Sequence, residues 1–191
     1  MMKKVLVINA NPKQESLCLS LAEHYASIAG KKHQIKQVNL ADMSFEMDLQ
    51  QGYDKETPLE DDLKDFQQHV TWAEHIVIVS PVWWGTVPAK FKGVIDRTFL
   101  PGFAFKYQEG KAMPQKLLSG RTSELIITLD TPPFWYRYVQ GNPIYKQLKS
   151  AILSFTGIKN QTSTYLGPVL NASEQRRQSW FDVISKRAAQ L

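Results

Sequence analysis

IVIVSPVWWGTVPAKFKGVIDR, residues 76–97, decides the fold. It opens on Ile76–Ser80, an apolar run of strand length. A run of that kind with no polar alternation marks a strand covered on both faces. Residues 87–99 then read as a helix, with Pro88 suited to its first turn. Strand, tight turn and helix make half of a βαβ unit, which implies a parallel sheet. Between them stand Trp83 and Trp84. Adjacent residues leaving a strand point in different directions, so the two indoles are not both expected in the core.

The same grammar repeats in both directions. KVLVINA (4–10) is a short buried strand, followed by helical spacing of Leu17, Leu21, Tyr25 and Ile28 within 16–29. HQIKQVNL (33–40) alternates and reads as an edge strand. Residues 41–56 have no period. At 57–60 the residues TPLE predict a helix start, with Thr57 capping, Pro58 in the first turn and Glu60 closing a capping box. That helix is expected to run to about His75. ELIITLD (124–130) and TSTYLGPV (162–169) are the fourth and fifth strands. Helices are expected over 142–155, ending before Gly157, and over 173–191. Five strands alternating with five helices predict one doubly wound domain over residues 1–191, with strand order 2-1-3-4-5.

The composition suits a globular chain of 191 residues, 43% apolar and 21% charged. Cys18 is the single cysteine, which rules out an intrachain disulfide and suits a reducing compartment. The apolar part of MMKKVLVINA is too short for a signal peptide, and no segment approaches the length of a membrane span, so the expected location is the cytoplasm. The net charge of +5 is spread along the chain, no nucleic-acid module is present, and no nucleic-acid partner is expected. His24, His33, His69 and His75 share no close spacing with carboxylates or the cysteine, so no metal site is expected.

In an open α/β sheet a ligand binds beyond the carboxyl ends of the strands. Three loops leave those ends with unusual composition. In the first, Asn11 and the cap residue Ser16 precede a helix whose Leu17 and Cys18 amides would offer an anion site. In the second, Pro81, Val82, Trp83, Trp84 and Gly85 combine indole surface with main-chain donors, as a flat ligand requires. In the third, Thr128, Leu129, Asp130 and Thr131 lead into Phe134, Trp135, Tyr136 and Tyr138, an aromatic surface fit for a ligand or a subunit contact. There is no GxGxxG and no GxxxxGK[ST], which disfavours a dinucleotide-binding site of that type and a Walker ATPase. No histidine lies near Cys18 in sequence, so it is not read as a nucleophile.

VLVINANPKQES, SPVWWGTVPAKFKGVIDR, LDTPP and GNPIYKQLKSAILSFTGIK, together spanning almost the whole chain, resemble the flavodoxin-like NAD(P)H dehydrogenase (quinone) family. The resemblance implies a flavodoxin-like three-layer sandwich and a bound flavin. Its phosphate end would lie at Asn11, Ser16, Leu17 and Cys18, its ring edge at Pro81–Gly85, and its ring and ribityl chain near Thr128–Thr131. FMN is expected over FAD because a short chain leaves little surface for an adenosine half. NAD(P)H would donate hydride, and quinones, azo compounds or nitroaromatics would accept two electrons. The resemblance also implies a homodimer and a tyrosine, here Tyr136, that assists proton transfer. The sequence departs from the family pattern at Cys18, where asparagine is frequent, and at Asn142, where larger members carry a histidine. A one-electron carrier is an alternative, but it would call for an acidic surface and a hydroxyl-rich first loop. A regulatory flavoprotein subunit of a membrane transporter is the other alternative.

Overall fold

The computed structural model describes all 191 residues. Five parallel strands form the sheet: β1 (Lys4–Asn9), β2 (Gln34–Asn39), β3 (His75–Pro81), β4 (Thr122–Thr128) and β5 (Lys159–Leu166). Their order is β2-β1-β3-β4-β5, as the alternation of elements predicts. The helices are α1 (Leu17–Ala29), α2 (Asp61–Trp72), α3 (Ala89–Thr98), the short α4 (Pro133–Tyr138), α5 (residues 143–156) and α6 (Glu174–Ala189).

The unbroken apolar strands follow from the presence of two cores. Leu6, Ile8, Ile76 and Ile78 pack on one face with Phe66 of α2, Phe91 of α3 and Leu148 of α5. Val5, Val7, Val77 and Val79 pack on the other with Tyr25 of α1 and Trp180 of α6. Alternate residues of one strand serve alternate faces, so every position is apolar. The outer strand β2 meets only β1 and keeps a mixed pattern.

Three sequence expectations are corrected, and one element had no expectation. Helix α2 begins at Asp61 with Glu60 at its cap position, and no Thr57 capping box forms. The Glu60 carboxylate accepts instead from Arg97 at 2.8 Å and from the Glu46 amide at 3.0 Å. Arg97 is buried and also donates to the carbonyls of Pro58 and Glu46. A buried guanidinium therefore claims the group that the local motif would have used. The 133–138 stretch, expected as loop, is a short helix. Residues 146–153 within α5 are wound as π-helix before Gly157 ends the segment in a left-handed conformation, φ 101°. A two-residue ribbon, Phe105–Lys106 with Gln115–Lys116, carries no period in the sequence.

Candidate functional site

The site is built where β1, β3 and β4 end. Hydrogen bonds tie the three exits together: the Ala10 amide donates to Val79 O, and the Val82 amide donates to Thr128 O. Cys18 Sγ lies 3.2 Å from Thr128 Oγ1, which links the start of α1 to the end of β4. The sequence-derived groups Asn11–Cys18, Pro81–Gly85 and Thr128–Thr131 therefore leave neighbouring strands at the same end of the sheet.

Each loop presents main-chain donors. Ser16 caps α1, its Oγ accepting from the Leu19 amide at 3.1 Å. The Leu17 and Cys18 amides have no acceptor within the chain, as expected for a first helical turn. Beside them Asn9 is 0% exposed, and its Nδ2 has no partner although its Oδ1 accepts from the Asn11 amide. Burial raises the Cys18 thiol to about 11, against the pull of its bonds to Thr128 and Asn11. It stays protonated, adds no negative charge to an anion site, and is no thiolate nucleophile.

The second loop is a two-residue hairpin turn. Trp83 and Thr86 exchange amide–carbonyl bonds of 2.9 and 3.0 Å, with Trp84 (φ 48°) and Gly85 (φ 85°) both left-handed between them. Two left-handed central residues define the type I′ turn. Glycine is at home there, whereas tryptophan is strained. The Trp84 and Gly85 amides have no acceptor within the chain. Trp83 is 42% exposed and Trp84 103%, so neither indole fills core.

The third loop adds the unpartnered amides of Asp130 and Thr131. The Asp130 carboxylate turns away to accept from the Leu170 amide at 2.6 Å. A cleft of about 430 Å³ joins the second and third loops, lined by Val82, Trp84, Gly85, Leu129, Asp130, Thr131, Tyr136, Gln140 and Pro143. Phe134 and Trp135 of α4 line an adjoining open groove with Asp130, Thr131 and Gln140, and they and Tyr138 lie exposed.

Tyr136, the tyrosine to which the resemblance assigns proton transfer, lines that cleft. It is 1% exposed; its hydroxyl donates to Gly85 O at 2.6 Å and accepts from the Ile144 amide at 3.0 Å. Burial raises its pKa, opposed by the Ile144 amide. Sequence reading missed Asn9, whose orphan donor only burial reveals. It also missed Tyr165, whose hydroxyl pairs with both polar atoms of the Asn142 side chain at 2.7 and 2.9 Å.

These residues fit a flavin mononucleotide. Its phosphate calls for the free amides and the positive end of α1. Its flat ring calls for an aromatic wall and for donors at its polar edge, which the Trp84–Gly85 turn offers.

Known proteins bear on the fold and on its relatives. A ribosyldihydronicotinamide dehydrogenase-like protein of Penicillium crustosum is 27% identical over 155 residues, covering 66% of this chain and 57% of that protein. An FMN-dependent NADH:quinone oxidoreductase of Coprothermobacter proteolyticus is 27% identical over 148 residues, 70% of this chain and 73% of that one. The chain spans less than two thirds of the length of the first curated relatives it matches, 57% and 62%. Among solved structures, the NAD(P)H:quinone oxidoreductase from Methanothermobacter marburgensis superposes with a TM-score of 0.81 at 18% identity, covering 99% of this chain and 98% of that one. A family model described as a flavodoxin-like fold matches residues 3–187, and the chain belongs to that family.

Proposed function

We propose that the chain is a flavin-dependent NAD(P)H oxidoreductase that reduces quinones or related conjugated acceptors by two-electron transfer, with FMN as its flavin. The observation that carries this reading is that three loops leave neighbouring strands at one end of the sheet with unpartnered amides, among them those of Leu17 and Cys18, Trp84 and Gly85, and Asp130 and Thr131, the second and third loops lining one cleft beside the exposed Trp84. The relative from Coprothermobacter and another from Bacillus cereus, 27% identical over 184 residues, are both named FMN-dependent NADH:quinone oxidoreductases.

When bound, FMN would supply the two-electron redox chemistry that links NAD(P)H to the acceptor. The chain's residues bind and orient. Leu17, Cys18 and the α1 dipole, with Asn11 and Ser16 beside them, would hold the phosphate. The Trp84 and Gly85 amides would meet the polar ring edge, and Thr128–Thr131 would flank the ring and the ribityl chain. Trp83 and Trp84 would offer flat apolar faces to a conjugated acceptor.

Donor and acceptor would use the same face in turn. Initial rates with NADH and a small quinone should therefore give parallel double-reciprocal lines. Convergent lines would sink the exchange mechanism. Exposed Phe134, Trp135, Tyr138 and Val139 suit contact with a second copy of the chain, and a homodimer is part of the proposal. Sedimentation at micromolar concentration tests it, a single monomeric species counting against it. No helix is long and apolar enough to cross a membrane. The proposed setting is the cytoplasm, which suits a single buried free cysteine.

A further inference from the structure

Tyr136 is held at four points. Its amide donates to Pro132 O at 3.1 Å, its carbonyl accepts from the Asn142 amide at 3.1 Å, and its hydroxyl bridges Gly85 O and the Ile144 amide. The far side of the 136–144 segment is fixed to β5, because the left-handed Asn142 (φ 54°) clasps the Tyr165 hydroxyl with its side chain. The Trp83–Thr86 turn has no such support of its own. Trp84 is fully exposed, and apart from the bonds across the turn the one polar anchor there is Gly85 O on Tyr136.

We propose that Tyr136 is a positioning residue: its hydroxyl pins the Trp83–Thr86 turn to the Asn142–Ile144 segment and so sets the attitude of the Trp84 and Gly85 amides. The proposal rests on the flavin reading for what those amides receive, but the pin itself does not depend on it. The hydroxyl carries one proton, and that proton is given to Gly85 O. The residue therefore acts on a ligand through the turn and not by proton transfer. The tie also explains why a buried tyrosine, and not phenylalanine, fills this place in the core. Two backbone groups there would otherwise lack partners.

The test uses Tyr136→Phe in the full chain. In flavin-free protein, exchange of the Ile144 amide should quicken about fivefold or more, the yield of one lost hydrogen bond. The FMN dissociation constant, read by fluorescence quenching, should rise by a similar factor. At saturating FMN, kcat should move by less than about threefold and its pH profile should keep its shape, since a lost general acid costs about a hundredfold or more. Tyr165→Phe, which frees Asn142 without touching Tyr136, should shift exchange and FMN affinity in the same direction; it carries the test if Tyr136→Phe does not fold. Unchanged Ile144 exchange overturns the proposal. So does a hundredfold loss of kcat with wild-type FMN affinity. Wild-type protein that takes up no FMN sinks the flavin reading, and the exchange rates then decide the pin alone.

Discussion

Trp84→Asn should make the protein more stable and a poorer enzyme. Trp84 sits at φ 48° in a turn whose two central residues are both left-handed. For a non-glycine residue that conformation costs about 1–2 kcal/mol, and asparagine tolerates it best. The substitution places asparagine before Gly85, the dipeptide this turn favours most. The lost side chain is 103% exposed, so no core packing is given up. A gain of about 1 kcal/mol follows, which for a chain of this size raises Tm by about 2–4 °C. Thermal melts of the flavin-free protein read it. If the indole is present for the ligand, KM for a small quinone should rise about fivefold, one aromatic contact's worth. A variant destabilised by 1 kcal/mol or more would show that Trp84 serves the fold. A stabilised variant with unchanged KM would refute its place in the acceptor site.

Three further outcomes are expected. Burial, helped by the charges of Lys3 and His33, lowers the His75 pKa from 6.5 to about 4. As pH falls below 6.5 the unfolded ring takes a proton that the folded ring refuses, so stability is lost between about pH 6.5 and 4. At pH 5 the loss relative to pH 7.5 is about 2 kcal/mol, and the urea unfolding free energies of wild type and His75→Gln should diverge by that amount on acidification. Equal pH dependence in the two proteins contradicts it. Glu124, buried in β4, accepts from Arg187 of α6 at 2.8 Å and from Tyr25 of α1 at 3.3 Å. Glu124→Gln should cost about 2 kcal/mol in urea unfolding, short of the full cost of a buried charge because the Arg187 side chain is 31% exposed. Ser16→Ala removes the α1 cap and should cost about 1 kcal/mol of stability. It should also weaken FMN more than riboflavin, which lacks the phosphate; equal weakening counts against a phosphate site at α1.

The sheet was legible because its signal is redundant. Val5–Ile8, Ile76–Val79 and Leu125–Ile127 each feed two cores, so their runs admit no polar residue, and parallel order follows from the helices between them. The loops gathering at the strand ends were legible for the same reason: topology brings them together whatever their side chains do. Distant partners override the rest. Thr57–Glu60 has the local form of a cap, but Arg97, 37 residues on, takes the Glu60 carboxylate. The role of Tyr136 depends on Gly85 O, 51 residues away in the chain. The left-handed Trp84 could not be read either: Gly85 marks a turn, but tryptophan does not favour that conformation until the paired bonds of Trp83 and Thr86 impose it.

The measurement that bears most directly on the central claim is an FMN titration of the purified, flavin-stripped protein, followed by anaerobic NADH and NADPH. Stoichiometric uptake with quenched flavin fluorescence is expected, then bleaching of the flavin bands by at least one nucleotide and recovery when a quinone is added. Bound flavin that neither nucleotide reduces would contradict the enzyme and favour a carrier or regulatory subunit. Failure to take up FMN would contradict the site itself.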